Sequence, residues 1–343
     1  MHPEPDASLA SRFDAFLLDL DGVVFRGRTV VAPAPEAIKW LRARAPVRFV
    51  TNNASRTPEQ VAHHLRGLGV AADPGEVSTA AQAAVGLLAQ QMGPGDRRPV
   101  LVVGGDGLVE AVRAAGYTPV RTADAQPIAV IQGFATTIAW PDLAQACYAL
   151  RRGIPWIAAN LDATLPTEAG DAPGNGAFVA ALVAATGRSP ISAGKPAATI
   201  LQVALTGVGA AAPLMVGDRL DTDVGAAVAA GIASAVVLTG VTQPLDLCLA
   251  RAEQRPDYIV GDVGGLRCGY AAPVVELTAD RVVGRCGGWA VQVVDAELSV
   301  AGSGDAIDGL RTVVSAVWAA TDAGRPIGSA AAGAAVEVVM GQR

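Results

Sequence analysis

Between Ser78 and Gly194 the sequence contains no lysine, and nowhere does it carry a basic stripe. The net charge is −6 and the pI about 5.1, so a nucleic-acid partner is not expected. The four cysteines, Cys147, Cys248, Cys268 and Cys286, form no CxxC pair, and the histidines, His2, His63 and His64, all lie far from them. That spacing argues against a zinc site, and the thiols are expected to be reduced. Residues 1–11 are polar, with Glu4 and Asp6, and lack the charged-then-apolar pattern of an export leader. One stretch, residues 224–245, has no charge and is long enough to test as a membrane span. Gly225, Gly231 and Gly240 interrupt it, and it reads instead as a helix, a turn and a buried strand. The expectation is a cytoplasmic protein with no membrane partner. Hydrophobic residues make up 51% and charged residues 17%, which fits a globular chain, and 343 residues fit two or three domains.

The first third alternates strands and helices. An apolar run at 15–18 ends abruptly in Asp19-Leu20-Asp21-Gly22, a helix is predicted over 35–44, and a second strand at 47–50 ends in Thr51-Asn52-Asn53. Thr57-Pro58-Glu59-Gln60 reads as an N-cap, a first-turn proline and a capping-box partner. A second set of strands (100–103, 128–131, 156–159) and helices (107–115, 141–151) follows, then a Pro/Gly-rich loop to Gly176 and a helix to about 185. Gly104-Gly105-Asp106-Gly107 lacks the lysine of a P-loop and reads as a tight turn with Asp106 as N-cap. The first pattern resumes at Gly194-Lys195-Pro196, read as opening a helix, and continues through a strand at 214–216 ending in Gly217-Asp218. The tail offers strands near 274–277, 290–294 and 297–300, and a helix at 306–320 capped by Asp305.

Buried strands alternating with helices predict a doubly wound, mostly parallel α/β sheet. Its organisation is expected to be a Rossmann-like core from 1–83 and 189–265, an inserted α/β cap at 84–188, and a small α+β C-terminal extension at 266–343.

Ligands of such sheets bind at the carboxyl ends of the strands. There Asp19 with Asp21, Thr51 with Asn52 and Asn53, and Asp218 with Asp221 and Asp223 would converge, with Lys195 between the second and third groups. One lysine cannot neutralise that many carboxylates, and a hard divalent cation, Mg2+ where phosphate binds, would. Thr51, Lys195 and backbone amides supply donors for phosphate oxygens, and a carboxylate then has a phosphorus to attack.

Four motifs in order, Asp19-Leu20-Asp21-Gly22-Val23, Thr51-Asn52-Asn53, Lys195 and Gly217-Asp218-Arg219-Leu220-Asp221-Thr222-Asp223, resemble those of the haloacid dehalogenase-like phosphatases, in the NagD-like branch of phosphoglycolate and para-nitrophenyl phosphatases. The resemblance covers about residues 12–265, and Asn160-Leu161-Asp162 with Pro173-Gly174-Asn175-Gly176-Ala177 resembles the branch's cap loop. It implies Asp19 as nucleophile and metal ligand, and Asp21 as general acid/base whose backbone carbonyl also binds metal. Thr51 and Lys195 would hold the phosphoryl group with the Asn52 backbone amide, Asp218 would bind metal directly, Asp223 would hold a metal-bound water or orient the site, and Asn53 would face the substrate. An acid common after the cap's Gly-Phe is replaced here by Ala135, after Gly133-Phe134. An actinobacterial group within the family carries a C-terminal extension resembling part of an acetyltransferase fold, although this tail has no acetyl-coenzyme-A loop.

The expected activity is therefore Mg2+-dependent hydrolysis of a small phosphorylated metabolite through an aspartyl-phosphate on Asp19. Glycerol 3-phosphate is the first substrate expected and 2-phosphoglycolate the second, with a homo-oligomer through the cap. The alternatives are phosphomutase-type transfer, a dehalogenase or phosphonatase, or a non-catalytic aspartyl-phosphate switch of the receiver type. A receiver places its acid pair on a different strand from the phosphorylated aspartate, and a phosphonatase needs a cap lysine. Asp221 reads as an ordinary first-turn acid, and His63-His64 as surface or packing residues.

Overall fold

The computed structural model describes residues 8–93, 95–167 and 169–341, so most of the segment read for an export leader lies outside it. Six parallel strands form the first sheet, in the order Tyr258–Val260, Ala233–Val237, Pro213–Gly217, Ala15–Leu18, Val47–Thr51, Val77–Thr79. The central strand, Ala15–Leu18, is apolar at every position because both of its faces are covered. Phe16 and Leu18 enter one core with Ile38, Phe49 and Leu214, while Leu17 enters the opposite core with Val50, Ile200 and Met215. Full burial of each such side chain is worth about 1.5–3 kcal/mol.

A second sheet of five parallel strands runs Ile191–Ser192, Trp156–Ala158, Val130–Gln132, Pro99–Val103, Thr118–Val120. The helix Ala80–Met92 lies between the sheets. Its N-terminus is closed by a capping box in which Thr79 Oγ1 accepts from Gln82 N at 3.3 Å and Gln82 Oε1 accepts from Thr79 N at 2.9 Å. Ala83, Ala84 and Leu88 share one core with Leu17 and Met215 of the first sheet and Val100, Ile131 and Ile157 of the second. The small alanines let the helix approach both sheets closely.

The tail is a four-stranded antiparallel sheet, Val274–Leu277, Arg281–Cys286, Trp289–Val294, Glu297–Gly302, backed by helices Ala306–Asp322 and Ser329–Gly341. Its core continues into the first sheet's edge, where Val236 and Ile259 pack with Trp289, Leu310, Val313 and Val317. Polar ties reinforce the seam. Arg311 donates from Nε and Nη2 to Ile259 O at 2.9 and 2.7 Å and from Nη1 to Asp308 at 2.7 Å, and Trp318 Nε1 donates to Leu247 O at 2.8 Å.

Several expectations are corrected. Residues 194–198 form turns and the helix starts at Thr199, so Lys195 sits on a loop. Gly105, not Asp106, is the N-cap of helix Asp106–Ala114. The Pro/Gly-rich loop contains an antiparallel hairpin, Thr164–Thr167 with Gly170–Pro173. Strand Arg281–Cys286 and helix Ser329–Gly341 were not expected: Gly284 interrupts the alternation of the first, and the second is alanine-rich with little amphipathic pattern to read. The charge-free stretch resolves into helix Gly225–Ala230, Gly231 at φ 67° and strand Ala233–Val237. Among the described residues no helix is long and apolar enough to cross a membrane.

Candidate active site

Three neighbouring parallel strands deliver the chemistry to one edge. Asp19 follows Ala15–Leu18, Thr51 ends Val47–Thr51, and Asp218 follows Pro213–Gly217. Asp223 arrives from the wide helical turn Leu220–Val224, which folds back under the third strand. Its Oδ2 accepts from the backbone amides of Asp218 at 3.1 Å and Arg219 at 3.0 Å.

Lys195 closes the cluster. Its Nζ donates to Asp19 Oδ1 and to Asp223 Oδ1, each at 2.6 Å, and all three side chains are buried. Asp218 Oδ2 accepts from Val241 N at 2.7 Å. Carboxylate oxygens of Asp19, Asp218 and Asp223 lie within 4.8 Å of one another. Asp19 Oδ2 and Asp218 Oδ1 make no hydrogen bond among the described residues. Close approach to Asp218 requires glycine twice. A Cβ at Gly22, which is also at φ 82°, or at Gly240 would overlap the Asp218 carboxylate.

The electrostatics fit a cation-binding site. Burial raises Asp19 well above the usual carboxylate range. Lys195 opposes that shift, while Asp223 and Asp218 add to it. Burial, then Asp223, pushes Asp218 up to about 6. Burial alone would lower Lys195, but Asp19 and Asp223 more than offset it and hold the ammonium charged. Carboxylates held this close, against their own preference to protonate, fit a hard divalent ion, with Asp19 and Asp218 each keeping one oxygen uncommitted. Asp223 has both oxygens engaged by Lys195 and two amides.

The remaining candidates lie around this centre. Asp21 is exposed at its mouth, yet the surrounding protein desolvates it and raises its carboxyl. Thr51 is buried, and its Oγ1 accepts from Asn53 N at 3.1 Å. Asn52 clamps the Lys195 peptide: Lys195 N donates to Asn52 Oδ1 at 2.9 Å, and Asn52 Nδ2 donates to Lys195 O at 3.1 Å. Asn53 turns its side-chain oxygen into its own loop, accepting from Ser55 N, Ser55 Oγ and Arg56 N. Asp221 faces away and pairs with Arg219.

His64 takes the packing role read for it, edge-on against Phe25 at 5.0 Å, and lies near enough to Asp21 to feel its charge. Gly240 has no motif to betray it. Above the strand ends, the second sheet presents its own carboxyl ends. A Cβ at Gly105 would lie 3.4 Å from Ser55, and one at Gly133 3.0 Å from Ala54 Cβ, so this edge roofs loop 54–56.

A doubly wound sheet carrying a strand-end aspartate, a paired lysine and an acid cluster defines a class of hydrolases that work through a carboxylate at a phosphate site. The chain belongs to the haloacid dehalogenase-like hydrolase family. That family's model matches residues 16–118, a second HAD-hydrolase-like model matches 192–266, and a GCN5-related N-acetyltransferase-like domain matches 286–341. The chain is 44% identical over 322 residues to the D-glycerol 3-phosphate phosphatase of Mycobacterium tuberculosis, covering 91% of this chain and 88% of that protein. Among solved structures it is similar to a glycerol phosphate phosphatase from M. tuberculosis in complex with magnesium, at TM-score 0.84 and 42% identity over 93% of each chain. It is also similar to the p-nitrophenyl phosphatase of Archaeoglobus fulgidus, at TM-score 0.68 and 30% identity, covering 74% of this chain and 98% of the other.

Proposed function

We propose that this phosphatase hydrolyses small phosphomonoesters in a Mg2+-dependent reaction, with glycerol 3-phosphate its preferred substrate and 2-phosphoglycolate second. The observation that carries the reading is the buried Lys195 bridging Asp19 and Asp223 beside Asp218. Asp19, Asp218 and the Asp21 backbone carbonyl would hold the ion, with Asp223 anchoring Lys195 and orienting the site. When bound, Mg2+ neutralises phosphate charge that would otherwise be repelled by these carboxylates.

Asp19 attacks phosphorus, the ester P–O bond breaks, and an aspartyl-phosphate forms. Asp21, its carboxyl raised by burial, gives its proton to the departing alkoxide. It then takes a proton from the water that attacks the aspartyl-phosphate, releasing phosphate and regenerating Asp19. Lys195, the Thr51 hydroxyl and the Asn52 backbone amide would stabilise the transferring phosphoryl oxygens. Asn53 would meet the substrate through Nδ2, which makes no hydrogen bond among the described residues.

Residues 1–83 and 189–265 would act as the catalytic core, 84–188 as a cap, and 266–343 as an extension. A roof seated this close to loop 54–56 favours small leaving groups over nucleotides or phosphopeptides. Trp140 and Tyr148, exposed on the helix Trp140–Leu150, suit contact with a second copy. The enzyme would act in the cytoplasm, and its net charge of −6 disfavours nucleic-acid partners.

Phosphate release should be measured with glycerol 3-phosphate, 2-phosphoglycolate, a nucleoside monophosphate and a phosphopeptide, with Mg2+ and with excess chelator. Turnover should need Mg2+. Undiminished turnover in chelator, or a more than tenfold higher kcat/KM for the nucleotide or phosphopeptide, would overturn the reading.

A further inference from the structure

Lys195 is held in place by a chain of three asparagines that begins outside the first sheet. Asn175, at the start of helix Asn175–Thr186, donates from Nδ2 to Asn160 O at 2.7 Å. Asn160, just beyond strand Trp156–Ala158, donates from Nδ2 to Asn52 O at 2.7 Å and accepts at Oδ1 from Asp162 N at 3.2 Å. Asn52 grips the Lys195 peptide through both ends of its carboxamide, and Lys195 Nζ reaches Asp19. Asn160 and Asn175 are buried. The links join residues 15, 108 and 143 apart in sequence.

Two details show that these contacts are specified rather than incidental. Among the described residues Asn175 Oδ1 is buried with no hydrogen-bond partner, so the bond to the Asn160 carbonyl is what sets which way the amide points. At the far end, a Cβ at Gly194 would come within 2.7 Å of Asn52 Oδ1 and 3.3 Å of Asn160 Cβ, so the backbone before Lys195 must be glycine for both asparagines to approach.

We propose that Asn160 and Asn175 are positioning residues for the phosphatase reaction, acting through Asn52 to seat Lys195 against Asp19. The proposal rests on the functional reading above. It makes the placement of Asn160 and Asn175 a condition for an aligned lysine: without their amides Asn52 loses the tether on its carbonyl and its grip on Lys195 shifts. A displacement of about 1 Å at such a group can cost about 10²-fold in rate.

The chain has only two lysines, Lys39 and Lys195, which allows a test independent of turnover. Selective 15N-lysine labelling gives two backbone amide signals, assigned by Lys39→Arg. Asn160→Ala should shift the Lys195 signal and leave Lys39 in place. Asn175→Asp, nearly isosteric and suited to a helix N-terminus, should do the same with the fold intact. In turnover of para-nitrophenyl phosphate, a small and undemanding substrate, each variant should lower kcat at least about tenfold with KM within about threefold. In an Asn52→Ala background the Asn160→Ala loss should largely vanish, because the path is already cut. An unmoved Lys195 signal, a loss confined to KM or melting temperature, or full additivity with Asn52→Ala would overturn the proposal. If the unmodified protein releases no phosphate from any ester, the functional reading falls, while the lysine spectra still decide the relay.

Discussion

Replacing Asp19 with asparagine should stabilise the cation-free protein while destroying its activity. At an effective dielectric of about 20, Lys195 at 2.6 Å attracts the Asp19 carboxylate by about 6 kcal/mol. At the same dielectric, Asp218 and Asp223, within 4.8 Å, each repel it by about 3.5 kcal/mol. Attraction and repulsion nearly cancel, so desolvation of the buried carboxylate, several kcal/mol, decides the sign. The raised pKa of Asp19 has the same meaning: the folded site disfavours the charged form. Because the folded pKa lies above the unfolded value, the fold binds more protons than the unfolded chain, and stability falls as pH rises through that interval. A neutral isostere escapes this while Lys195 keeps Asp223. Asp19→Asn should therefore gain about 1–3 kcal/mol, or about 2–6 °C in apparent Tm, in excess chelator at pH 7.5. It should also respond less to acidification than the parent. Activity should drop at least about 10³-fold for want of the attacking oxygen. Saturating Mg2+ should close the gap, since about 100 Kd of ligand adds about 2.7 kcal/mol to whichever protein binds it. Differential scanning fluorimetry with and without chelator makes the comparison. A lower Tm for Asp19→Asn in chelator would refute the argument that burial outweighs the lysine.

Mg2+ affinity, followed by calorimetry between pH 5 and 8, should weaken as pH falls below about 6, where a proton competes for Asp218; a flat profile would remove Asp218 from the ligand set. Gly240→Ala should lower both Mg2+ affinity and kcat/KM by more than about tenfold, because its Cβ overlaps the Asp218 carboxylate, and unaltered binding would contradict the packing argument. Arg311→Ala should cost about 3 kcal/mol in urea unfolding, since it strands the Ile259 carbonyl and Asp308 at the tail seam, with kcat/KM of the folded protein unchanged.

The parts legible in sequence share one physical cause. A strand buried on both faces is apolar over its buried positions, so the polar residues that end it stand out: Asp19 after Phe16-Leu17-Leu18, Thr51 after Phe49-Val50 (Arg48 before them is only half-buried), and Asp218 after Met215-Val216-Gly217. Neighbouring parallel strands then bring these endings to one edge, and residues 199 positions apart meet. The capping box at Thr57 was equally readable, because its partners are three residues apart, and the structure forms both of its bonds. The illegible parts depend on contacts that no local pattern encodes. The segments around Asn160 and Asn175 resemble the family's cap loop, but no local pattern tells that their amides reach Asn52 and Asn160, and the tail helix Ser329–Gly341 is too uniformly small and apolar to show a face.

The glycines follow the same division, and they fix how closely the backbone approaches the acids. Gly22, Gly217 and Gly240 each lie where a Cβ would overlap Asp218 or Asp223. The cluster is thus built by bringing bare backbone against carboxylates, which places amide donors on Asp218 and Asp223 without interposing a side chain. That arrangement fixes the acids while leaving Asp19 Oδ2 and Asp218 Oδ1 unbonded among the described residues. A cluster built only for stability would have saturated those oxygens or replaced the acids with apolar residues, since buried like charges oppose folding. Rigid backbone, committed outer oxygens and uncommitted inner ones are what a site needs when its remaining ligand is a cation shared with phosphate.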